Sequence, residues 1–91
     1  MFRKFVIERD IPNVGEMTRP QLQQAAETSN CALAKLPNVQ WLHSYVAKDK
    51  TFCLYLAEDE AAIQEHARLS GFPATRVTEV VSMIDPVTAR G

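Results

Sequence analysis

Between residues 40 and 57 the chain reads QWLHSYVAKDKTFCLYLA, and this stretch decides the fold. Gln40 to Ala47 and Thr51 to Ala57 are rich in aromatic and β-branched residues, which is typical of β-strands. The polar residues Lys48, Asp49 and Lys50 separate the two runs. The stretch therefore predicts a β-hairpin with a three-residue turn, and the segments on either side of it determine the class of α+β fold.

A helix is predicted on the N-terminal side of the hairpin. Thr18 followed by Gln21 has the spacing of a capping box, and Pro20 fits the first helical turn, where a missing N–H costs little. Pro37 marks the end of this segment. Between these signals, apolar and small residues recur at three- and four-residue steps and form one stripe: Leu22, Ala25, Ala26, Ser29, Leu33 and Leu36.

The rest of the chain supplies two more strands and a second helix. Phe2 to Arg9 contains a short apolar run, and Arg76 to Ile84 is rich in valine, so both segments are predicted to be strands. Asp59 is a predicted N-cap of the second helix, and Gly71 suits the position after its end. The resulting order, β-α-β-β-α-β, predicts an α+β ferredoxin-like domain over residues 1–91, with a four-stranded antiparallel sheet and both helices on one face.

Composition excludes several classes of protein. Ten Lys and Arg against eleven Asp and Glu give a formal charge of -1, which argues against a general nucleic-acid binder or a polybasic membrane-surface protein. No apolar run approaches the roughly 20 residues that span a bilayer. Met1 to Asp10 lacks the features of a signal peptide, and two cysteines are too few for a secreted disulfide scaffold. We therefore expect a cytoplasmic protein that binds neither nucleic acid nor membrane.

The predicted hairpin register divides the side chains between two faces. A three-residue turn places five aromatic or polar residues on one face: Trp41, His43, Tyr45, Cys53 and Tyr55. The alternate, mostly aliphatic positions are then expected under the helices: Leu42, Ser44, Val46, Phe52, Leu54 and Leu56. Lys4, Val6 and Glu8 of the first strand join the aromatic face if Phe5 and Ile7 face the helices. An open aromatic face predicts a homodimer, with Trp41, Tyr45 and Tyr55 at the interface.

The two histidines are the candidate site residues, and each allows more than one role. His43 is a candidate metal ligand or general acid/base, since imidazole titrates near neutrality and binds borderline metals; the alternative is an interface histidine. His66 flanks the packed side of the second helix, so a packing role stays open beside a functional one. The chain has no His-x3-His or Cys-x2-Cys pair, so a metal site needs carboxylates such as Glu8 and Glu65, or a second subunit.

Several segments resemble, in the same order, a family of small bacterial proteins that was catalogued as a domain of unknown function and is now labelled nickel-binding protein. They are Val6 to Pro12, Trp41 to Val46, Asp49 to Tyr55, Ile63 to Ala67, Gly71 to Ala74 and Ile84 to Pro86. The resemblance implies a ferredoxin-like fold, a homodimer and surface nickel binding, with sequestration or detoxification as the role. The positions to map onto such a site are His43 and His66.

Three hypotheses for function follow. The first is a divalent-metal binder, nickel first and with no organic cofactor, that uses His66 and His43 with the carboxylates of Glu8 and Glu65. The second is a small dimeric enzyme that acts on a small molecule in a cleft, where His66 near Tyr55 or Asp85 serves as acid or base. The third is an interaction module whose aromatic face serves only for dimerisation.

Overall fold

The computed structural model describes all 91 residues, and its secondary structure alternates as the sequence predicts. The strands are β1 (Arg3–Asp10), β2 (Val39–Val46), β3 (Lys50–Ala57) and β4 (Arg76–Val80). The helices are α1 (Arg19–Leu33) and α2 (Glu60–Ser70), with short 3-10 turns at Val14–Glu16 and Pro86–Arg90. The four strands form one antiparallel sheet in the order β2-β3-β1-β4, which confirms the ferredoxin-like α+β fold.

Both helices begin at their predicted caps, and α2 also ends at its predicted residue, whereas α1 ends at Leu33, about one turn before Pro37. The backbone N–H of Gln21 donates to the Thr18 hydroxyl, and the Gln21 side chain accepts from the Thr18 N–H, so the capping box is complete. The Asp59 carboxylate accepts from the N–H of Ala62 at 2.9 Å and caps α2. Gly71 ends α2 with a φ of 79°, a left-handed conformation that glycine adopts without a Cβ penalty.

The core lies between α2 and the face of the sheet that carries Phe5 and Ile7. Its fully buried residues come from three strands and one helix: Phe5, Ile7, Val39, Cys53, Tyr55, Ala57, Ala62 and Ile63. Leu33 of α1 packs against the same cluster. We call this side of the sheet the helix face and the opposite side the open face.

The predicted hairpin register is wrong, and two features together explain the difference. The turn has two residues, Lys48 and Asp49, because the N–H of Ala47 donates to the carbonyl of Lys50 at 2.8 Å. A β-bulge then lies between Trp41 and His43, which makes Leu42 the extra residue of β2. A bulge reverses the alternation of side chains between the two faces of the sheet. The residues of β2 before and after Leu42 therefore alternate in opposite order.

The two faces of the hairpin are corrected accordingly. Trp41 is paired with Tyr55, and Ser44 with Cys53, so these four residues belong to the helix face. Ser44 is predicted there, whereas the prediction that Trp41, Cys53 and Tyr55 lie on an open aromatic face is wrong. His43 is paired with Leu54 and Tyr45 with Phe52, and this set lies on the open face. On the hairpin, the open face therefore carries His43 and Tyr45 beside Phe52, Leu54 and Leu56, which the predicted register places under the helices, while Cys53 and Tyr55 are buried.

The last strand is shorter than predicted. β4 ends at Val80, which pairs with Lys4 near the start of β1, so the partner strand has almost no residues left beyond this point. The expected continuation of β4 is exposed, with 95% of Val81, 72% of Met83 and 79% of Ile84 accessible to solvent. Neither helix combines the length and the hydrophobicity that crossing a bilayer requires.

Candidate functional site

His43 lies on the open face, on the edge strand β2. It is exposed, and its ring packs edge-on against Tyr45, with centroids 5.1 Å apart at an interplanar angle of 80°. Tyr45 itself is 61% exposed. The imidazole of His43 is thus open to solvent and to any molecule that approaches the open face.

Glu8 shares the open face with His43 but is not its neighbour. Its carboxylate is 3.6 Å from Lys50 Nζ and 4.0 Å from Arg76 Nε, so two cations flank it. The register places Glu8 and His43 two strands apart and offset by two residues. With ordinary strand spacings, their Cα atoms lie about 12 Å apart, too far for both side chains to bind one ion readily.

His66 lies on the other side of the sheet and is 1% exposed. Its Nε2 shares a hydrogen bond with the Ser29 hydroxyl at 3.2 Å, and its ring centroid is 5.0 Å from that of Tyr55. Burial, and then the positive charge of Arg9, lower the pKa of His66 to about 4. Its Nδ1 is buried without a hydrogen-bond partner. The expected pair of His66 and Tyr55 is present, and His66 is neutral at pH 7.

Glu65 lies on α2, where it forms an ion pair with Arg68 one turn later. The four candidate ligands therefore occupy three separate places: the open face, the buried core and the surface of α2. No three His, Cys, Asp or Glu side chains converge in the monomer. Of the three residues proposed for the dimer interface, Tyr45 lies on the open face, whereas Trp41 and Tyr55 lie on the helix face.

A cavity of about 120 Å³ lies between α1 and the helix face of the sheet. Its apolar wall comes mainly from α1 and the two loops that flank the helices: Val14, Met17, Leu22, Ala25, Ala26 and Phe72. The sheet, together with one α1 hydroxyl, contributes polar groups: Arg9, Ser29, Ser44, Thr51 and Tyr55. Trp41, the single tryptophan of the chain, also lines it. The cavity thus has apolar walls and a few polar groups, as small-molecule sites do.

Arg9 is the residue of this cavity that sequence reasoning missed. It is 3% exposed and forms no ion pair with any carboxylate of the chain. Its Nη1 donates to the backbone carbonyl of Pro73 at 2.9 Å, and more weakly to that of Phe72 at 3.4 Å. Its guanidinium lies 5.9 Å from the ring centroids of both Tyr55 and Phe72. Its Nη2 is buried and has no partner.

A signal for Arg9 is present in the sequence. Phe5, Ile7 and Arg9 occupy alternate positions of one strand, so a side chain at Arg9 shares the face of two core residues. An arginine at the end of a strand is ordinarily solvated, so the sequence alone favours an exposed Arg9 despite this alternation. Tyr55 lies beside Arg9 in the same buried region. Burial raises the pKa of its phenol, while Ser29 and Arg9 act in the opposite direction.

Comparisons with known proteins agree with this architecture. In the solved structures, the chain is similar to the crystal structure of SCO4226 from Streptomyces coelicolor A3(2), with a TM-score of 0.75 and 20% identity. The match covers 89% of this chain and 99% of that chain, and at this identity it shows the fold. The curated proteins contain no match. Residues 5–80 match the family model described as "Nickel responsive protein SCO4226-like". The chain therefore belongs to the family of nickel-responsive proteins similar to SCO4226.

Proposed function

We propose that this protein binds a divalent transition metal, nickel first, and that it sequesters or detoxifies the ion in the cytoplasm. The observation that carries the proposal is an exposed imidazole, His43, on the open face of a chain that belongs to a nickel-responsive family. Imidazole nitrogen suits Ni(II), and an exposed ring exchanges ions with solvent without a change of fold. His43 is therefore the first ligand in the proposal.

The remaining ligands are proposed to come from a second copy of the chain and from water. Because His43 and Glu8 of one monomer lie about 12 Å apart, a single monomer offers a weak site at best. The open face has the apolar character that dimerisation needs, since Phe52, Leu54 and Leu56 are only partly buried there. A homodimer that packs open face against open face brings a second set of imidazole and carboxylate groups to the first.

His66 and Glu65 have subordinate roles in the proposal. The buried imidazole of His66 is already deprotonated at pH 7, and its Nδ1 has a free lone pair or N–H, so it has the chemistry of a ligand. Access to it requires α2 to move away from β3, and Glu65 on α2 supplies a carboxylate on the outer side. A metal at this position would therefore bind more slowly than one at His43.

The test is a nickel titration by calorimetry on tag-free protein stripped with a chelator. We expect stoichiometric binding in the micromolar range or tighter, weaker below about pH 6 because histidine must lose its proton to bind. Copper(II) is expected to bind more tightly, as the general order of divalent affinities requires. His43→Gln should weaken nickel binding at least tenfold, while His66→Gln, the matched control at the buried histidine, should weaken it less.

Two results contradict the proposal. If a variant that carries both His43→Gln and His66→Gln binds nickel with unchanged affinity, histidine is not a ligand. If the unaltered protein binds nickel only in the millimolar range or not at all, it is not a nickel-binding protein. It is then better described as an interaction module. In that case dimerisation survives in both single variants, because neither substitution alters the aliphatic part of the open face.

The enzymatic alternative has less support. It requires a histidine acid or base at a cavity, and His66 is not among the residues that line the cavity described above. Its Nε2 is occupied by Ser29, which lies between the imidazole and that space. The cavity itself still calls for an explanation, and it does not depend on metal chemistry.

A further inference from the structure

We infer that the cavity between α1 and the sheet is a binding site for a small monocarboxylate with an apolar body about the size of one ring. The inference is independent of nickel binding, because none of the proposed metal ligands lines this cavity. It rests on the buried and incompletely hydrogen-bonded guanidinium of Arg9, and on the size and lining of the cavity beside it.

The buried charge of Arg9 is incompletely compensated within the chain. Arginine stays protonated in proteins, and a buried cation is ordinarily paired with a carboxylate. Arg9 instead has two backbone carbonyls on Nη1 and two aromatic rings nearby, while Nη2 has no acceptor. The two carbonyls fix the guanidinium in place. The arrangement therefore leaves a fixed, desolvated donor that lacks an anionic acceptor.

The geometry of guanidinium favours a planar anion. Its parallel N–H groups match the two oxygens of a carboxylate, and such charge-assisted bonds are about twice as strong as neutral ones. Thr51 and Ser44, which also line the cavity, offer hydroxyl donors that suit the same oxygens. The polar groups of the cavity thus provide donors for an anion, and none of its lining residues is acidic.

The walls define the rest of the ligand. Leu22, Ala25 and Ala26 of α1 face Val46 and Trp41 of the sheet across the space, so the body of the ligand must be apolar. The volume of about 120 Å³ is comparable to the cavity of about 150 Å³ that accommodates benzene in another protein. A single aromatic ring that carries one carboxylate, as in benzoate, matches the charge and stands at the upper limit of the size.

Benzoate is the probe, and the emission of Trp41 reports its binding because this is the single tryptophan of the chain. We expect benzoate to change the emission in a saturable way. Benzamide, which has the same shape without the charge, should bind about 10- to 100-fold more weakly, the range expected when a hydrogen bond to a charged group is lost. Inorganic phosphate, which lacks an apolar body, should bind more weakly than benzoate.

Two variants locate the site. Arg9→Met should abolish the preference for benzoate over benzamide, with Arg3→Met as control, since Arg3 is an exposed arginine on the same strand. Ala26→Leu should fill the cavity and weaken both ligands while Arg9 is retained. Ala61→Leu adds the same volume at an exposed position of α2 and should leave binding unchanged. If Arg9→Met does not fold, the Ala26→Leu result decides.

Three outcomes overturn the inference. Equal affinity for benzoate and benzamide removes the role of Arg9, and equal binding by the Ala26→Leu variant places the ligand elsewhere. Absence of saturable binding by benzoate shows that the cavity does not accept this class of ligand. Nickel binding is measured separately on the same variants, so loss of one activity does not decide the other.

Discussion

At the scale of single residues, the structure separates two histidines that look equivalent in the sequence. His43 is exposed, and His66 is buried against Tyr55 and Ser29. The difference follows from their elements: β2 is an edge strand whose phase is reversed by the bulge, whereas α2 presents His66 to the sheet. The expected proximity of His66 and Tyr55 is present, whereas Trp41, Cys53 and Tyr55 lie on the opposite face of the hairpin from the one predicted.

The buried histidine makes folding stability depend on pH. The unfolded chain takes up a proton at His66 near the ordinary pKa of 6.5, and the folded chain only near a pKa of about 4. Between these values the unfolded state binds more protons, so stability is full above pH 6.5 and falls as the pH is lowered towards 4. From pH 7 to pH 5 we expect a loss of about 2 kcal/mol from this residue alone.

Urea unfolding of the unaltered protein and of His66→Gln at both pH values measures this effect. The variant should lack this part of the pH dependence, whatever its stability at pH 7. His43→Gln is the matched control and should keep it, because the exposed ring of His43 has no comparable burial. An equal loss of stability in the unaltered protein and in His66→Gln contradicts the assignment.

At the scale of elements, the sequence predicts those helix boundaries that depend on interactions between residues close together in the chain. The caps at Thr18, Asp59 and Gly71 each act within a few residues, so they define the start of α1 and both ends of α2 from the sequence alone. The register of the hairpin depends on a bulge at Leu42, and a bulge leaves no comparable local signature. The burial of Arg9 was likewise missed because it depends on carbonyls more than sixty residues away in the sequence.

The tip of the hairpin is held by the loop that follows β1. The N–H of Gly15 donates to the carbonyl of Lys48 at 2.9 Å, and the Asp49 carboxylate accepts from the N–H of Asn13 at 2.9 Å. A Cβ at Gly15 would lie 2.8 Å from the carbonyl oxygen of Ala47 and 2.9 Å from the Cα of Lys48, closer than real contacts allow. Both atoms belong to the backbone and cannot rotate away.

We therefore expect Gly15→Ala to destabilise the protein by about 1–3 kcal/mol, the usual cost of forcing extra volume into a packed site. The urea midpoint should fall while the dependence of the unfolding free energy on urea concentration stays the same. Glu16→Ala, at the exposed neighbouring position, is the control and should change the midpoint little. Equal midpoints for the two variants would show that the loop after β1 shifts to accommodate the added Cβ without loss of stability.

At the scale of the whole molecule, the fold leaves apolar surface on two regions of the monomer. One is the open face, where Phe52, Leu54 and Leu56 are partly exposed. The other is the segment after β4, with Val81, Met83 and Ile84. A chain of 91 residues buries a modest share of its surface, so association is an effective way to cover the remainder. This is the physical basis of the proposed homodimer.

The dimer proposal predicts that a charge in the apolar part of the open face produces a monomer. Leu56 pairs with Lys4 and Gln40 on that face, away from His43, so Leu56→Lys places a charge in the interface without touching the proposed metal ligand. Analytical ultracentrifugation should show a dimer for the unaltered protein and a monomer for this variant. Because the second copy is proposed to complete the metal site, nickel affinity should fall at least tenfold in the same variant.

Gln64→Lys is the matched control, since it adds the same charge at an exposed position of α2 and should preserve both the dimer and nickel binding. The control shows that one added positive charge, placed outside the proposed interface, does not by itself disrupt the dimer or abolish nickel binding. A monomeric Leu56→Lys variant that binds nickel as tightly as the unaltered protein would place the whole site within one chain. A Leu56→Lys variant that stays dimeric would move the interface away from the open face, leaving the segment after Val80 as the surface to test by deletion.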